Sequence, residues 1–205
     1  MTRHVRLRLA AFLLALPVLG IGCIGSPFAP TTSSGLAVDS TAFLHPFLTP
    51  SQKFEIQYLN TMIDRYTADI AVARLGQEKA VHRALDSLST ALVDSESAAI
   101  DTMTAMLARL GVAHRPGAVA GMDTRLAGST GAAFETAILE DMVRRQTANA
   151  ALSQQVLPRA SDRGISALAR HNLNAENARV ALMQSWLCEW YGQCGGVGFP
   201  LPGRS

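Results

Sequence analysis

The residues with the most chemical potential are four charges at repeated spacing. Glu96 and Glu176 lie eighty residues apart, and so do Arg65 and Arg145. Arg65 belongs to the series Phe54, Tyr58, Met62, Arg65, Asp69, Val72, and Arg145 to Phe134, Ile138, Met142, Arg145, Asn149, Leu152. Steps of three and four put each series on one helix face. Glu96 continues the stripe after Leu92, and the matching stripe passes through Asn172, Glu176 and Arg179. An interior charge is costly unless paired, so the expected ion pairs are Arg65–Glu96 and Arg145–Glu176, or the crossed pairs. On that reading, Glu176→Gln breaks an ion pair and lowers stability. The bland alternative places these charges at the stripe's edge, in water.

Other chemistries find little support. A diiron oxidase needs Glu-x-x-His on paired helices, but Ala99 follows Glu96 and Arg179 follows Glu176 at that spacing. Acid–base work by the two glutamates meets the objection that neighbouring arginines would depress their pKa values. His45, His82, His114 and His171 are scattered, and surface or turn roles are expected for them. Met62, Met103, Met106, Met142 and Met183 sit at helical spacing and read as core filler rather than copper ligands. Gly195, Gly196 and Gly198 follow the last helix instead of preceding one, so they form no phosphate loop. No nucleophile has a matching base. The expectation is a protein that is not an enzyme and carries no cofactor.

The elements that position these residues come from a duplication. At an offset of eighty, residues 54–73 overlay 134–153 with eight identities, among them Phe54/Phe134, Glu55/Glu135 and Arg65/Arg145. About one or two identities would be expected at ordinary residue frequencies. Strand signals are missing. The first helix starts at Thr49 or Pro50, with Thr49 and Gln52 as a capping box, and ends near Gly76 or shortly after. The second runs from Arg83 to Leu110 and stops at Gly111. A Gly-, Pro- and Ala-containing linker covers 112–130. The third helix runs from Thr130 to before Pro158, and Ser161 caps the fourth. The fold class is all-α: an antiparallel four-helix bundle over 51–192, made of hairpin repeats 51–111 and 131–192.

On Phe54, Leu59, Met62, Ile63 and Met103, and again on Phe134, Leu139, Met142, Val143 and Met183, the chain resembles the domain-of-unknown-function family numbered 305. The resemblance implies a ferritin-like bundle, often exported, with paired histidines two residues after a Met-Ile pair. Those histidines fall on Arg65 and Tyr66, and on Arg145 and Gln146. The family's glutamine falls on Glu96 and Glu176, and its glutamate on Ala99 and Arg179. A guanidinium has no lone pair for a metal. The resemblance therefore implies a metal-handling ancestor whose site this chain has lost, leaving Arg65, Tyr66, Glu96, Arg145, Gln146, Glu176 and Arg179 as a polar cluster in the bundle core.

Composition and termini set the location. Hydrophobic residues make up 48% of the 205 and charged residues 17%, enough for a packed core. Residues 1–22 read as a signal peptide, with Arg3, Arg6 and Arg8 before an apolar run. Without them, 15 Lys and Arg face 16 Asp and Glu, which excludes a basic nucleic-acid footprint. Leu19-Gly20-Ile21-Gly22-Cys23 resembles a lipoprotein cleavage site, making Cys23 the lipidated residue; ordinary cleavage or an uncleaved anchor are the alternatives. Residues 23–50 read as a flexible tether and 193–205 as a tail. Cys188 and Cys194 remain as one pair, expected to form a disulfide in an oxidising compartment, with two free thiols as the alternative. The function expected is that of a non-catalytic, membrane-tethered structural or interaction module of the cell envelope, facing the periplasm or exterior. Its expected partners are the membrane, through the lipid, and a second copy or another envelope protein. A metal-binding envelope protein with rearranged ligands is the rival.

Overall fold

A computed structural model describes residues 48–195; the signal peptide, Cys23, nearly all of the tether and most of the tail lie outside the described residues. The regular secondary structure of the described part is all helix: α1 (Pro50–Lys79), α2 (Arg83–Arg109), α3 (Arg125–Gly128), α4 (Gly131–Val156) and α5 (Arg163–Tyr191). α1 packs on α2, α4 on α5, and the hairpins join chiefly through α1 and α4. The four long helices form an all-α bundle. The start of α1 meets the end of α4, so these two run antiparallel, and residues 110–130 cross the length of the bundle between the hairpins.

Local chemistry sets the helix ends. Thr49 and Gln52 form the reciprocal capping box, with Gln52 N donating to Thr49 Oγ1 (3.2 Å) and Thr49 N to Gln52 Oε1 (2.9 Å). α1 ends at Lys79, shortly after Gly76, as expected. That glycine serves close packing: a Cβ there would stand 2.2 Å from Ser89 Oγ on α2. Asp162, not Ser161, caps α5 through Ile165 N (2.9 Å). α5 closes on Gly192, whose φ of 68° suits glycine. Just beyond, Cys188 and Cys194 are joined by a disulfide.

Ser161 is displaced from the cap because it belongs to a lock between the hairpins. Buried Glu55, near the start of α1, accepts from Ser161 N (2.5 Å), Ser161 Oγ (3.0 Å) and Asp162 N (2.8 Å) through Oε1. Eighty residues on, buried Glu135 accepts from Val81 N and His82 N, each at 2.7 Å. Positions 81 and 82 are the repeat equivalents of 161 and 162. Each glutamate thus satisfies the free amides before the second helix of the other hairpin. Glu135 Oε2 also meets His82 Nδ1 (2.7 Å) and accepts from Tyr191 OH (2.5 Å). Burial raises the Glu135 carboxyl, but the donors from Tyr191, His82 and Val81 outweigh it and hold the group below its ordinary range. Glu135→Ala should therefore destabilise the bundle by about 3 kcal/mol in urea unfolding, by stranding two amides and a tyrosine hydroxyl. A loss below about 0.5 kcal/mol would mean the lock carries no load.

Candidate functional site

The polar residues of the core meet midway along the bundle. Tyr66 OH donates to Glu176 Oε1 (2.7 Å), and Gln146 Nε2 donates to Glu96 Oε1 (2.8 Å). Positions 66 and 146 are repeat equivalents, as are 96 and 176, so one contact occurs twice about a pseudo-twofold axis. Asp69 and its equivalent Asn149 face each other on that axis, with Asn149 Nδ2 donating to Asp69 Oδ2 (2.7 Å). Arg179 reaches in from α5: Nη2 donates to Ser95 Oγ (2.8 Å), Nη1 to Gln146 Oε1 (3.3 Å), and Nη1 lies 3.6 Å from Glu96 Oε1. Ser153 donates to Glu176 Oε2 (3.5 Å).

The expected Arg–Glu pairs do not form. Arg145 is buried, but its Nε donates to Asp141 (2.7 Å) and its Nη1 to Asp69 (3.4 Å). Its Nη2 donates to the crossover backbone at Gly121 O (2.8 Å). Arg65 is half-buried and donates to Ala148 O (2.8 Å). The hairpins do cross-pair, but from positions 66 and 146. One residue along a helix turns the side chain by about 100°, which moves 65 and 145 toward the crossover segment. Asp141 escaped the sequence reading, although its place four residues before Arg145 was a usable signal. Asp69 and Asn149 stood on the stripes without an assigned role, and nothing in the pattern flagged Ser153.

The histidines are also more engaged than expected. His82 contacts Glu135 and stacks on Trp190, with centroids 4.0 Å apart. His114 Nε2 lies 2.9 Å from Asp64 Oδ1. His171 lines a cavity of about 210 Å³ beside Glu96 and Arg179.

Electrostatics follows from burial with few cations. Burial pushes Glu96 up to about 8; the Asp69 charge adds to this, while Gln146 and Arg179 oppose it. Burial likewise pushes Glu176 up to about 7, against the Tyr66 hydrogen bond and the Arg179 charge. Asp69 is raised by burial, in spite of Asn149 and Arg145. Tyr66 is raised far above the ordinary phenol value by burial and by the Glu176 charge. Glu96 Oε2 has no partner. The expectation that arginines would depress these carboxyls is reversed, because Arg65 and Arg145 sit away from them.

Helix arrangement and core together define an antiparallel four-helix bundle with a carboxylate-bearing centre. The chain resembles the DUF305 family in fold. The DUF305 fragment from Deinococcus radiodurans matches with a TM-score of 0.59 at 20% identity, over 68% of this chain and 96% of that one. CopM in its Cu(I)-bound form matches with a TM-score of 0.62 at 16% identity, over 67% and 98%. A conserved hypothetical protein from Mycobacterium tuberculosis matches with a TM-score of 0.58 at 17% identity, over 73% and 99%. No family model matches the chain, and no curated protein matches it in sequence.

The raised carboxyls fix a pH dependence. An unfolded glutamate loses its proton near pH 4.5, while folded Glu176 and Glu96 keep theirs to about 7 and about 8. The native state then binds more protons than the unfolded state, so these groups make stability fall as pH rises from about 4.5 to about 8. Glu96→Gln should be near neutral at pH 5 and stabilising by about 1–3 kcal/mol at pH 9. Glu176→Gln should act in the same direction, opposite to the ion-pair expectation. Thermal melts of the variants and the parent at both pH values check this; equal destabilisation at both would refute it.

Proposed function

We propose that this chain is an exported helical-bundle protein without catalytic activity, a structural or interaction module of the cell envelope held to a membrane through lipid on Cys23. The observation that carries the reading is how the interior carboxylates are used. Glu96 is held through Oε1 by Gln146 and Arg179, and Glu176 through both oxygens by Tyr66 and Ser153. Groups committed to holding the hairpins together are not free for turnover. Among the described residues no helix is long and apolar enough to cross a membrane. Its proposed partners are the membrane and a second copy or another envelope protein, with no nucleic acid.

The likeness to copper-bound CopM favours a second reading, a metal-binding bundle with rearranged ligands. The donor set fits it poorly. Soft ions want thioether, thiolate or imidazole. Met62 and Met103 pack in one apolar cluster and Met142 and Met183 in another, while Cys188 and Cys194 are bonded to each other. Among the described residues no three His, Cys, Asp or Glu converge as a metal-holding group.

Two measurements test the proposal. Elemental analysis after dialysis against Cu(I), Ag(I) and Zn(II) should give well under one equivalent of each, and a stoichiometric metal would establish the second reading. Intact mass of membrane-extracted protein should show diacylglycerol on Cys23, and an unmodified chain would refute the tether.

A further inference from the structure

Arg65 is the cation that the polar core leaves over. Its half-buried guanidinium donates to one neutral acceptor, Ala148 O (2.8 Å), and among the described residues it joins no close ion pair, its charge acting on Asp69 only at longer range. It lines a cavity of about 400 Å³ enclosed by α1, α4 and the crossover segment.

The cavity is built rather than incidental. Asp64 on α1 pins one end of its roof, accepting from Gly117 N (2.7 Å) and meeting His114 Nε2 (2.9 Å). Arg145 on α4 pins the other end through Gly121 O (2.8 Å). Between the pins lie Ala118, Val119 and Ala120, which offer an apolar surface. Both carboxylates in the lining are already engaged: Asp64 by those roof contacts, Asp69 by Asn149 and Arg145. Arg144, more than half exposed and held on one side by Asp141, adds a guanidinium to those of Arg65 and Arg145.

A guanidinium with spare donors in a partly dry cleft matches the two oxygens of a carboxylate. The volume lies in the range of small-molecule sites. We infer that this cavity binds a small organic carboxylate, its oxygens on Arg65 and its hydrocarbon part beneath residues 118–120. Inorganic phosphate offers the oxyanion without the apolar body, so it should bind more weakly. The inference rests on this geometry alone and is independent of the envelope role.

Isothermal titration of the folded protein with butyrate, benzoate and phosphate tests it. The expected result is saturable binding of an organic acid that Arg65→Met weakens roughly tenfold or more, with Arg65→Lys in between. Arg65 contributes one hydrogen bond at the bundle surface, so Arg65→Met should melt close to the parent. Should it fail to fold, Val119→Asp puts a negative charge on the exposed roof and should weaken binding comparably. Absence of saturable binding by the parent up to about 10 mM would overturn the site. So would unchanged affinity in Arg65→Met or, where that variant does not fold, in Val119→Asp. Phosphate binding as tightly as butyrate would overturn the organic-acid assignment.

Discussion

Two glutamates lie midway inside this bundle, and each takes its shortest hydrogen bond from the other hairpin. Glu96 on α2 depends on Gln146 from α4, and Glu176 on α5 depends on Tyr66 from α1. A buried carboxyl without a donor costs several kcal/mol, so a sliding or rotated hairpin would lose both contacts together. The net stability from such contacts is small compared with apolar packing. Their effect is on register, which fixes how the second hairpin sits on the first. Glu55 and Glu135 impose the same condition at the two ends, each closing the helix start of the opposite hairpin. Four glutamates in two equivalent pairs therefore tie the repeats into one body.

The symmetry is incomplete, and the departures are concentrated. Beyond Glu176 the polar network continues through Ser153, Tyr58 and Asn172, with Tyr58 OH 3.3 Å from Ser153 Oγ and Asn172 Nδ2 donating to Tyr58 OH (3.4 Å). The repeat equivalents of these residues are Ala73, Ile138 and Leu92, all buried and apolar. Beyond Glu96, then, the core is sealed by hydrocarbon, whereas beyond Glu176 it stays hydrogen-bonded. Arg179 has the same one-sidedness, since its equivalent is Ala99.

Much of this was legible in the sequence. Helical spacing, the capping box at Thr49 and the constant offset of eighty gave four helices in two hairpins, because those signals are local and repeated. The interior glutamates were legible as stripe positions. Their partners were not: Arg65 and Tyr66 are adjacent in sequence, and only the helix rotation decides which of them reaches the core. The crossover segment was also opaque. Its Gly, Pro and Ala content reads as a plain linker, yet α3 lies within it, with Leu126 fully buried, and Asp64 and Arg145 hold its backbone from two different helices. Contacts of that kind join residues with no shared periodicity, so no pattern within one segment announces them.

The one-residue register difference also bears on the proposed absence of metal binding. Had Arg65 and Arg145 pointed at Glu96 and Glu176, the carboxyls would have stayed ionised and been neutralised by salt bridges. Instead they face a phenol, an amide and a single guanidinium, and burial raises them to about 8 and about 7. A carboxyl that keeps its proton near neutral pH is a hydrogen-bonding group more than a ligand, since a cation must first displace that proton. On the reading proposed above, reluctance to bind metal would come from two sources, the lack of imidazoles at positions 65, 66, 145 and 146 and the protonated acids, of which only the first is visible in the sequence. The second is a property of the folded core: burial with too little positive charge nearby.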